Sequence, residues 1–259
     1  MMVEYDESEA RATDRNYQTP DVARQRLRSL EALQLKAGER VLDVGCGTGL
    51  LVHDMATLVG PNGRVVGVDI SQPMLSLAER RCVDLPQVDL KRRNAEDLAE
   101  EDESFDAVAC AQVLLYIPDV PAALAQIYRV LKPGGRIAII ETDWRGTVLH
   151  SFDDGLTRRI LAAWDSAVSS PNLPVRLGPL LTARGFSAIR VDAIPIVNTS
   201  WTTGNFSLRM IEQFARCAQE QGAVSNAEST AWLDDLRRKG DDGSYLFCVN
   251  RFLFSAVKI

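Results

Sequence analysis

Val41-Leu42-Asp43-Val44-Gly45-Cys46-Gly47-Thr48-Gly49 is the stretch on which the reading of this chain turns. A short apolar run leads straight into Gly45, Gly47 and Gly49, and Leu50 opens a helical pattern that continues to Val59. In a strand, glycine loop and helix in that order, the backbone can come close to a ligand, since no Cβ intervenes and positive φ costs a glycine little. Taken alone, such a loop is equally a tight connection with no ligand at all.

The flanks repeat the same grammar. Pro61-Asn62-Gly63 turns the chain into a second apolar run at 65–68, and Ser71-Gln72-Pro73 starts a helix carried by Met74, Leu75, Leu77 and Ala78. Further strands are predicted at 88–92 and 107–111. A helix at 122–131 then leads through Lys132-Pro133-Gly134-Gly135 into a fifth strand at 136–141. Strands alternating with helices predict a parallel sheet covered on both faces, and the nearly continuous apolar runs suit strands buried on both sides. Upstream, Thr19-Pro20-Asp21 signals a helix start, with Thr19 as cap and Pro20 in the first turn; that helix runs through Leu27, Leu30 and Leu33 and ends near Lys36-Ala37-Gly38. Downstream, helices are predicted at 152–168 and 177–184, a strand at 186–194 and a closing strand at 246–258. Between the last two, residues 199–244 are mostly helical and polar.

Asp69 ends the second apolar run. A carboxylate at that place in an open α/β sheet accepts the two hydroxyls of a ribose. Charge-assisted bonds of this kind contribute roughly 1.5–3 kcal/mol each. Glycine loop and acid together also fit a dinucleotide dehydrogenase, whose fingerprint is G-x-G-x-x-G. Here the third glycine, Gly49, comes one residue early and position 50 is Leu.

Composition excludes several classes. The 259 residues carry a net charge of −6, and the densest basic stretches, Arg80-Arg81 and Lys91-Arg92-Arg93, are short and set among acids. Nucleic-acid binding declares itself by a basic stripe, so no nucleic-acid partner is expected. No apolar run approaches the ~18–20 residues of a membrane helix, and the acidic start is not a secretory signal, so no membrane association and a cytoplasmic location are expected. The five cysteines, Cys46, Cys82, Cys110, Cys217 and Cys248, show no metal-ligand spacing, and no metal is expected.

The ordered motifs resemble those of class I S-adenosylmethionine-dependent methyltransferases, closest to the menaquinone/ubiquinone C-methyltransferase-like small-molecule group. VLDVGCGTG at 41–49 resembles motif I. VVGVDIS at 65–71, RNAEDL at 93–98, FDAVACAQVLLYIPD at 105–119 and RVLKPGGRIAIIE at 129–141 follow in the family's order. The resemblance implies an α/β, Rossmann-like, seven-stranded, mostly parallel sheet with helices on both faces and an antiparallel last strand, plus a helical cap. It divides the chain into an N-terminal helical cap segment (1–37), a cofactor-binding core (38–198), a helical insertion acting as substrate lid (199–245) and a closing strand (246–259).

Carried over residue by residue, the resemblance assigns Gly45, Cys46, Gly47, Thr48 and Gly49 to the loop around the methionine half of S-adenosylmethionine. Asp43 orients that loop or meets the ammonium, and Asp69 holds the ribose. Ile70 and Met74 pack on the adenine, Asn94 and Ala95 meet its polar edge with Glu96 adjacent, and Ala111, Gln112 and Val113 lie beside the sulfonium. Cys46 is a small loop residue in this pattern, not a nucleophile. Tyr17, Arg24 and Gln25 cover the cofactor from the N-terminal helix. Tyr116 faces the acceptor; His150 and Asp143, just past the fifth strand, are the acid–base and substrate-contact candidates. Trp144, Trp164 and Trp201 read better as core residues than as pocket lining, and His53 as a helix-surface residue.

The implied reaction is methyl transfer to a small-molecule acceptor at O, N or C, releasing S-adenosylhomocysteine, as in natural-product metabolism; the chain is compatible with a monomer or a homodimer. Three rivals stand beside it. They are a non-catalytic or partner-dependent binder of the same cofactor, a nicotinamide-dependent oxidoreductase, and an arsenite methyltransferase, which Cys110 and Cys248 disfavour by lying in predicted buried strands.

Overall fold

A computed structural model describes residues 6–259. The cap-segment expectation for residues 1–5 lies outside that range. Helix α1 (Glu7–Tyr17), not foreseen as a separate element, starts on a capping box: Glu9 N–H donates to Asp6 Oδ1 at 2.8 Å, and Asp6 N–H donates to the Glu9 carboxylate at 3.0 Å. Helix α2 (Pro20–Leu33) carries Pro20 in its first turn as expected, but Thr19 does not cap it. The Thr19 hydroxyl instead donates back to the Asn16 carbonyl at 2.7 Å, tying the end of α1 to the start of α2. Gln34 takes the left-handed conformation and stops α2 earlier than the sequence suggested.

Strand β1 (Arg40–Val44), α3 (Leu50–Val59), β2 (Arg64–Asp69), α4 (Gln72–Arg81), β3 (Val88–Arg92), β4 (Phe105–Ala111), a 3-10 turn (Leu114–Tyr116), α5 (Val120–Val130) and β5 (Leu131–Leu149) follow. Strand β5 is much longer than the predicted 136–141. Two irregularities account for this. Residues 132–135, the Lys-Pro-Gly-Gly turn, stand out of the ladder between Leu131 and Arg136. Past Asp143 the strand bulges again before Val148 and Leu149 rejoin the ladder. Then come α6 (Asp154–Ala167), α7 (Pro174–Arg184), β6 (Phe186–Asn198), α8 (Phe206–Glu220), α9 (Asn226–Asp242) and β7 (Phe247–Lys258).

The sheet order is β3-β2-β1-β4-β5-β7-β6. The first five strands are parallel, and β7 runs antiparallel to both β5 and β6. This is the expected seven-stranded sheet with an antiparallel last strand. Strand order reverses between β1 and β4, so the glycine loop after β1 opens into the crevice where ligands of such sheets bind. Alternate residues along each strand face two cores. One face packs Val41, Ala107, Ala138 and Ile140 against Val52, Met55 and Leu75; the other packs Leu42, Val108, Ile137 and Ile139 against Leu124 and Ile127.

The second core continues without a break into the insertion. Phe206, Met210, Ile211 and Phe214 of α8 and Trp232 and Leu236 of α9 belong to it. Trp144 and Trp164 stack edge-on at 5.6 Å and both meet the Phe214 ring, so these tryptophans are core residues. Trp201 packs against Tyr245 at 5.6 Å and covers Gly240. Helices α8 and α9 thus share the main apolar core with the sheet. The reason is the strongly amphipathic α8, whose apolar residues recur at helical spacing and need a partner surface. Among the described residues, no helix is long and apolar enough to cross a membrane.

Candidate functional site

A cavity opens at the carboxyl ends of β1, β2 and β4, and the glycine loop forms its floor. Gly45, Gly47 and Gly49 all have positive φ. Their reasons differ. A Cβ on Gly45 would clash with Val113 Cγ2, so the loops after β1 and β4 can touch only because that side chain is missing. At Gly49 a Cβ would meet Ala78 Cβ at 2.7 Å, so this glycine lets α3 start against α4 and does not line the cavity. Gly45→Ala is expected to destabilise by ~1–3 kcal/mol, from left-handed strain plus displacement of Val113. A thermal melt checks this, and an unchanged midpoint would contradict it.

Around the loop, the sheet supplies carboxylates. Asp43, at the end of β1, lines the cavity and accepts no hydrogen bond among the described residues. Burial, and then the charge of Asp69, hold its carboxyl well above the usual carboxylate range. Asp69 accepts the Gly47 N–H at 2.8 Å through Oδ2 and the Ser71 N–H at 2.9 Å through Oδ1. Burial raises its pKa, and the backbone donors of Ser71, Gly47 and Ile70 oppose that. Each oxygen keeps a second lone pair for a ligand hydroxyl. The hydroxyl of Thr48 is buried without a partner among the described residues. Cys46 is buried, and desolvation pushes its thiol well up, which suits a loop residue and not a nucleophile.

The rim comes from three further segments. Ile70 and Met74 sit after β2, and Ser71 caps α4 through the Met74 N–H. Asn94, Ala95 and Glu96 form a turn in which Glu96 N–H donates to Asn94 Oδ1 at 3.0 Å. Ala111, Gln112 and Val113 follow β4, with Gln112 in the left-handed region at φ 60° and its Nε2 on the Ile140 carbonyl at 3.2 Å. A non-glycine residue held in that conformation costs of order 1–3 kcal/mol, and such strain persists where the surroundings over-determine it.

The fourth side is the N-terminal helix pair. Val22, Gln25, Arg26 and Ser29 lie on one face of α2 and line the cavity; Arg24 is off that face and exposed. Arg26 therefore takes the place expected for Arg24. It donates to the Tyr17 carbonyl at 2.7 Å and pairs with Asp54 at 3.3 Å. The Tyr17 ring lies over the glycine loop, 3.7 Å from where a Gly47 Cβ would be. Asp14 of α1 pairs with Arg81 of α4 at 2.9 Å, and Arg81 also donates to the Thr48 carbonyl, so α1 is tied to the loop it covers.

Of the acid–base candidates, only Tyr116 lines the cavity. Burial pushes its phenol far above the ordinary value, so it keeps its proton. His150 lies outside the cavity: its side chain is 73% exposed and sits 3.6 Å from Asp154. Strand β5 runs on past the predicted end and carries His150 away from the crevice. Asp143 stays at the bulge, packed beside Gly146, with a buried Oδ1 that has no partner among the described residues; it does not line the cavity either.

Two residues escaped the sequence reading. Arg251, on β7, is 3% exposed and lines the cavity. Glu141, on β5, is 0% exposed and accepts the Val113 and Leu114 N–H groups at 3.2 and 2.8 Å. Burial pushes its carboxyl up to about 8, against those backbone donors. A signal existed for each: a charged residue directly beside an apolar run, residues 137–140 for Glu141 and 252–254 for Arg251.

The set of features fits a nucleoside-bearing cation. It offers a carboxylate at Asp69, and, without a partner among the described residues, a buried carboxyl at Asp43 and a hydroxyl at Thr48, beside a loop with no room for a side chain at Gly45.

Comparison with known proteins agrees with that chemistry. A family model described as a methyltransferase domain matches residues 35–170, more than half of the chain. An uncharacterised 37.1 kDa protein in transposon TN4556 of Streptomyces fradiae is 33% identical over 208 residues, covering 80% of this chain and 60% of that protein. Demethylmenaquinone methyltransferase of Lactobacillus johnsonii is 41% identical over 120 residues, 45% of this chain and 49% of the relative. The matches thus span about half to three fifths of these curated relatives. Among solved structures, phosphoethanolamine N-methyltransferase 2 of Haemonchus contortus superposes with a TM-score of 0.65 at 23% identity, covering 98% of this chain and 58% of that one. The chain belongs to the methyltransferase domain family.

Proposed function

We propose that this chain is an S-adenosylmethionine-dependent methyltransferase acting on a small-molecule acceptor at O, N or C and releasing S-adenosylhomocysteine. The observation that carries the reading is the cavity at the β1/β4 switch point, where Asp69, Asp43 and the Gly45–Thr48 loop converge. The named methyltransferase relatives support the same chemistry. We place it in the natural-product branch of small-molecule metabolism and in the cytoplasm, where its free cysteines stay reduced.

Bound S-adenosylmethionine supplies a methyl group already activated by a positive sulfur. The work left to the chain is alignment, which holds reacting atoms ~3–3.5 Å apart and removes up to ~7–11 kcal/mol of barrier in favourable cases. Asp69 holds the ribose. Asp43 faces the amino-acid end, and its buried carboxyl ionises more readily when a cation arrives. Ile70 and Met74 flank the adenine, with Asn94, Ala95 and Glu96 at its polar edge. Gln112 and Val113 border the reacting methyl, while Tyr17 and α2 exclude water from above. Tyr116 donates a hydrogen bond on the acceptor side. The N-terminal helix pair covers the cavity, and the 199–245 helices, packed behind it, help select the acceptor.

Isothermal titration with S-adenosylmethionine and S-adenosylhomocysteine, with NADH as control, tests the reading. Micromolar binding of both adenosyl compounds and none of NADH is the expected outcome. An NADH response, or no adenosyl binding, overturns it.

A further inference from the structure

The acceptor side of the cavity holds a buried cation whose charge is unmatched. Arg251 is paired in register with Thr142 of β5 and Ile194 of β6, on the sheet face covered by α2. Its Nη1 donates to Gln25 Oε1, its guanidinium lies 4.5 Å over the Phe206 ring, and its Nε has no acceptor among the described residues. No carboxylate lies within ion-pair distance of it among the described residues. Asp21, the acid on the neighbouring helix, is itself engaged by Asn198 Nδ2 at 2.9 Å and the Phe206 N–H at 3.4 Å. Glu141 projects to the opposite face of the sheet, as the β5/β7 register requires, and receives the N–H groups of the loop after β4. The remaining groups that face Arg251 electrostatically are the phenols of Tyr17 and Tyr116, both of which line the cavity.

Burying a guanidinium without an anion is costly, and a planar carboxylate is the group whose geometry matches it. Position separates this cation from the donor half of the site. Asp43 and the glycine loop belong to β1; Arg251 belongs to β7, with β4 and β5 between. Three strand spacings of ~4.8 Å put the two backbones ~14 Å apart. A ligand held by Asp69 and Asp43 spans the ends of β2 and β1, while Arg251 comes from β7, three strands beyond β1.

We propose that the methyl acceptor carries a carboxylate and that Arg251 anchors it, with Tyr17 and Tyr116 donating hydrogen bonds at its flanks. This rests on the methyltransferase reading above and adds the chemical class of the acceptor. Phe206 of the insertion gives the guanidinium an apolar floor, so residues 199–245 influence acceptor choice through Arg251 although they contribute no cavity wall.

The test compares matched probes. The S-adenosylhomocysteine-saturated wild-type protein is titrated calorimetrically with a panel of hydroxybenzoates and with their neutral primary amides, a comparison that needs no variant to fold. At least one carboxylate is expected to bind tenfold or more tighter than its amide. Arg251→Gln is expected to bring that preference below twofold, Arg251→Lys to keep part of it, and both to leave S-adenosylmethionine affinity within twofold, with circular dichroism melts confirming that the variants fold. Absence of any carboxylate preference in the wild type, or a preference untouched in Arg251→Gln, overturns the proposal. A tenfold loss of S-adenosylmethionine affinity in Arg251→Gln overturns it too, by assigning the guanidinium to the donor's own carboxylate. If the wild type fails to bind S-adenosylmethionine at all, the methyltransferase reading falls instead, and the carboxylate–amide comparison on the unliganded protein still decides the anion site.

Discussion

Asp69→Ala is expected to weaken S-adenosylmethionine binding by two orders of magnitude or more while leaving the protein folded. The carboxylate offers one free lone pair on each oxygen beyond those used by the Gly47 and Ser71 N–H groups. Two charge-assisted bonds to ribose hydroxyls contribute ~3–6 kcal/mol together, and each ~1.4 kcal/mol is a factor of ten in affinity. The substitution also frees the Gly47 N–H, so the loop under Tyr17 loosens and the loss in binding grows. Folding suffers less, because Asp69 is a largely buried acid whose ionised form is already disfavoured by desolvation. Asp69→Asn keeps one acceptor oxygen and should fall between wild type and alanine. Calorimetric titration of the three proteins, with a melt of each, is the measurement. An alanine variant within threefold of wild type would show that the ribose is held elsewhere.

The second large effect concerns Glu141 and pH. Its carboxyl is pushed up to about 8 in the folded protein from an ordinary value of 4.5, first of all by burial. Below pH 4.5 the group is neutral in both folded and unfolded chains and takes nothing from stability. Between 4.5 and 8 the unfolded chain ionises while the folded one holds its proton, so stability falls as pH rises. Above 8 the loss is complete, of order 3–5 kcal/mol at ~1.36 kcal/mol per unit of pKa. Glu141→Gln removes the titration and keeps an oxygen that accepts the Val113 and Leu114 N–H groups. The variant is therefore expected to match wild type near pH 4.5–5 and to exceed it progressively towards pH 8.5. Urea unfolding at a series of pH values checks this. A variant weaker than wild type across the whole range would mean that the charge itself supports the loop after β4.

Both residues sit on the sheet at the level of the crevice, yet only one was legible in advance. Asp69 stands in a local pattern: an apolar run, an acid at its end, a helix cap two residues later. Its role follows from short-range order. Glu141 and Arg251 belong to strands that meet only through the antiparallel closure of β7 against β5, and their partners are up to 226 residues away in sequence. Local periodicity carries no information about such pairs. The same limit explains His150 and Arg24. Placing His150 near the pocket required knowing where β5 stops, and the long β5/β7 ladder, set by pairing and not by composition, carries it out to solvent. On α2 the covering residues were sought at 24 and 25, whereas the helix face against the cavity is set by how α2 packs over the loop, which brings in Arg26.

The insertion shows the same division at larger scale. Its helices were expected from composition, and α8 and α9 occur within 199–244. A polar, helical segment between two strands read as a substrate lid, and composition did not show how it packs. Phe206, Phe214 and Trp232, spread over its length, join one core with the sheet.

By itself, then, the sequence determined the parallel sheet, the order of its helices and strands from α2 through β5, the ligand-approach loop and the acid at Asp69. Each of these is written in neighbouring residues through apolar period, glycine placement and caps. Only the tertiary structure decided that β7 delivers a buried guanidinium to the far wall of the cavity, that Glu141 braces the loop after β4, and that the insertion is core. Those outcomes depend on register and burial, which arise from contacts between distant segments. A charge inside an apolar strand costs free energy wherever it lies, and only the folded chain decides whether it faces a cavity, a loop or the core.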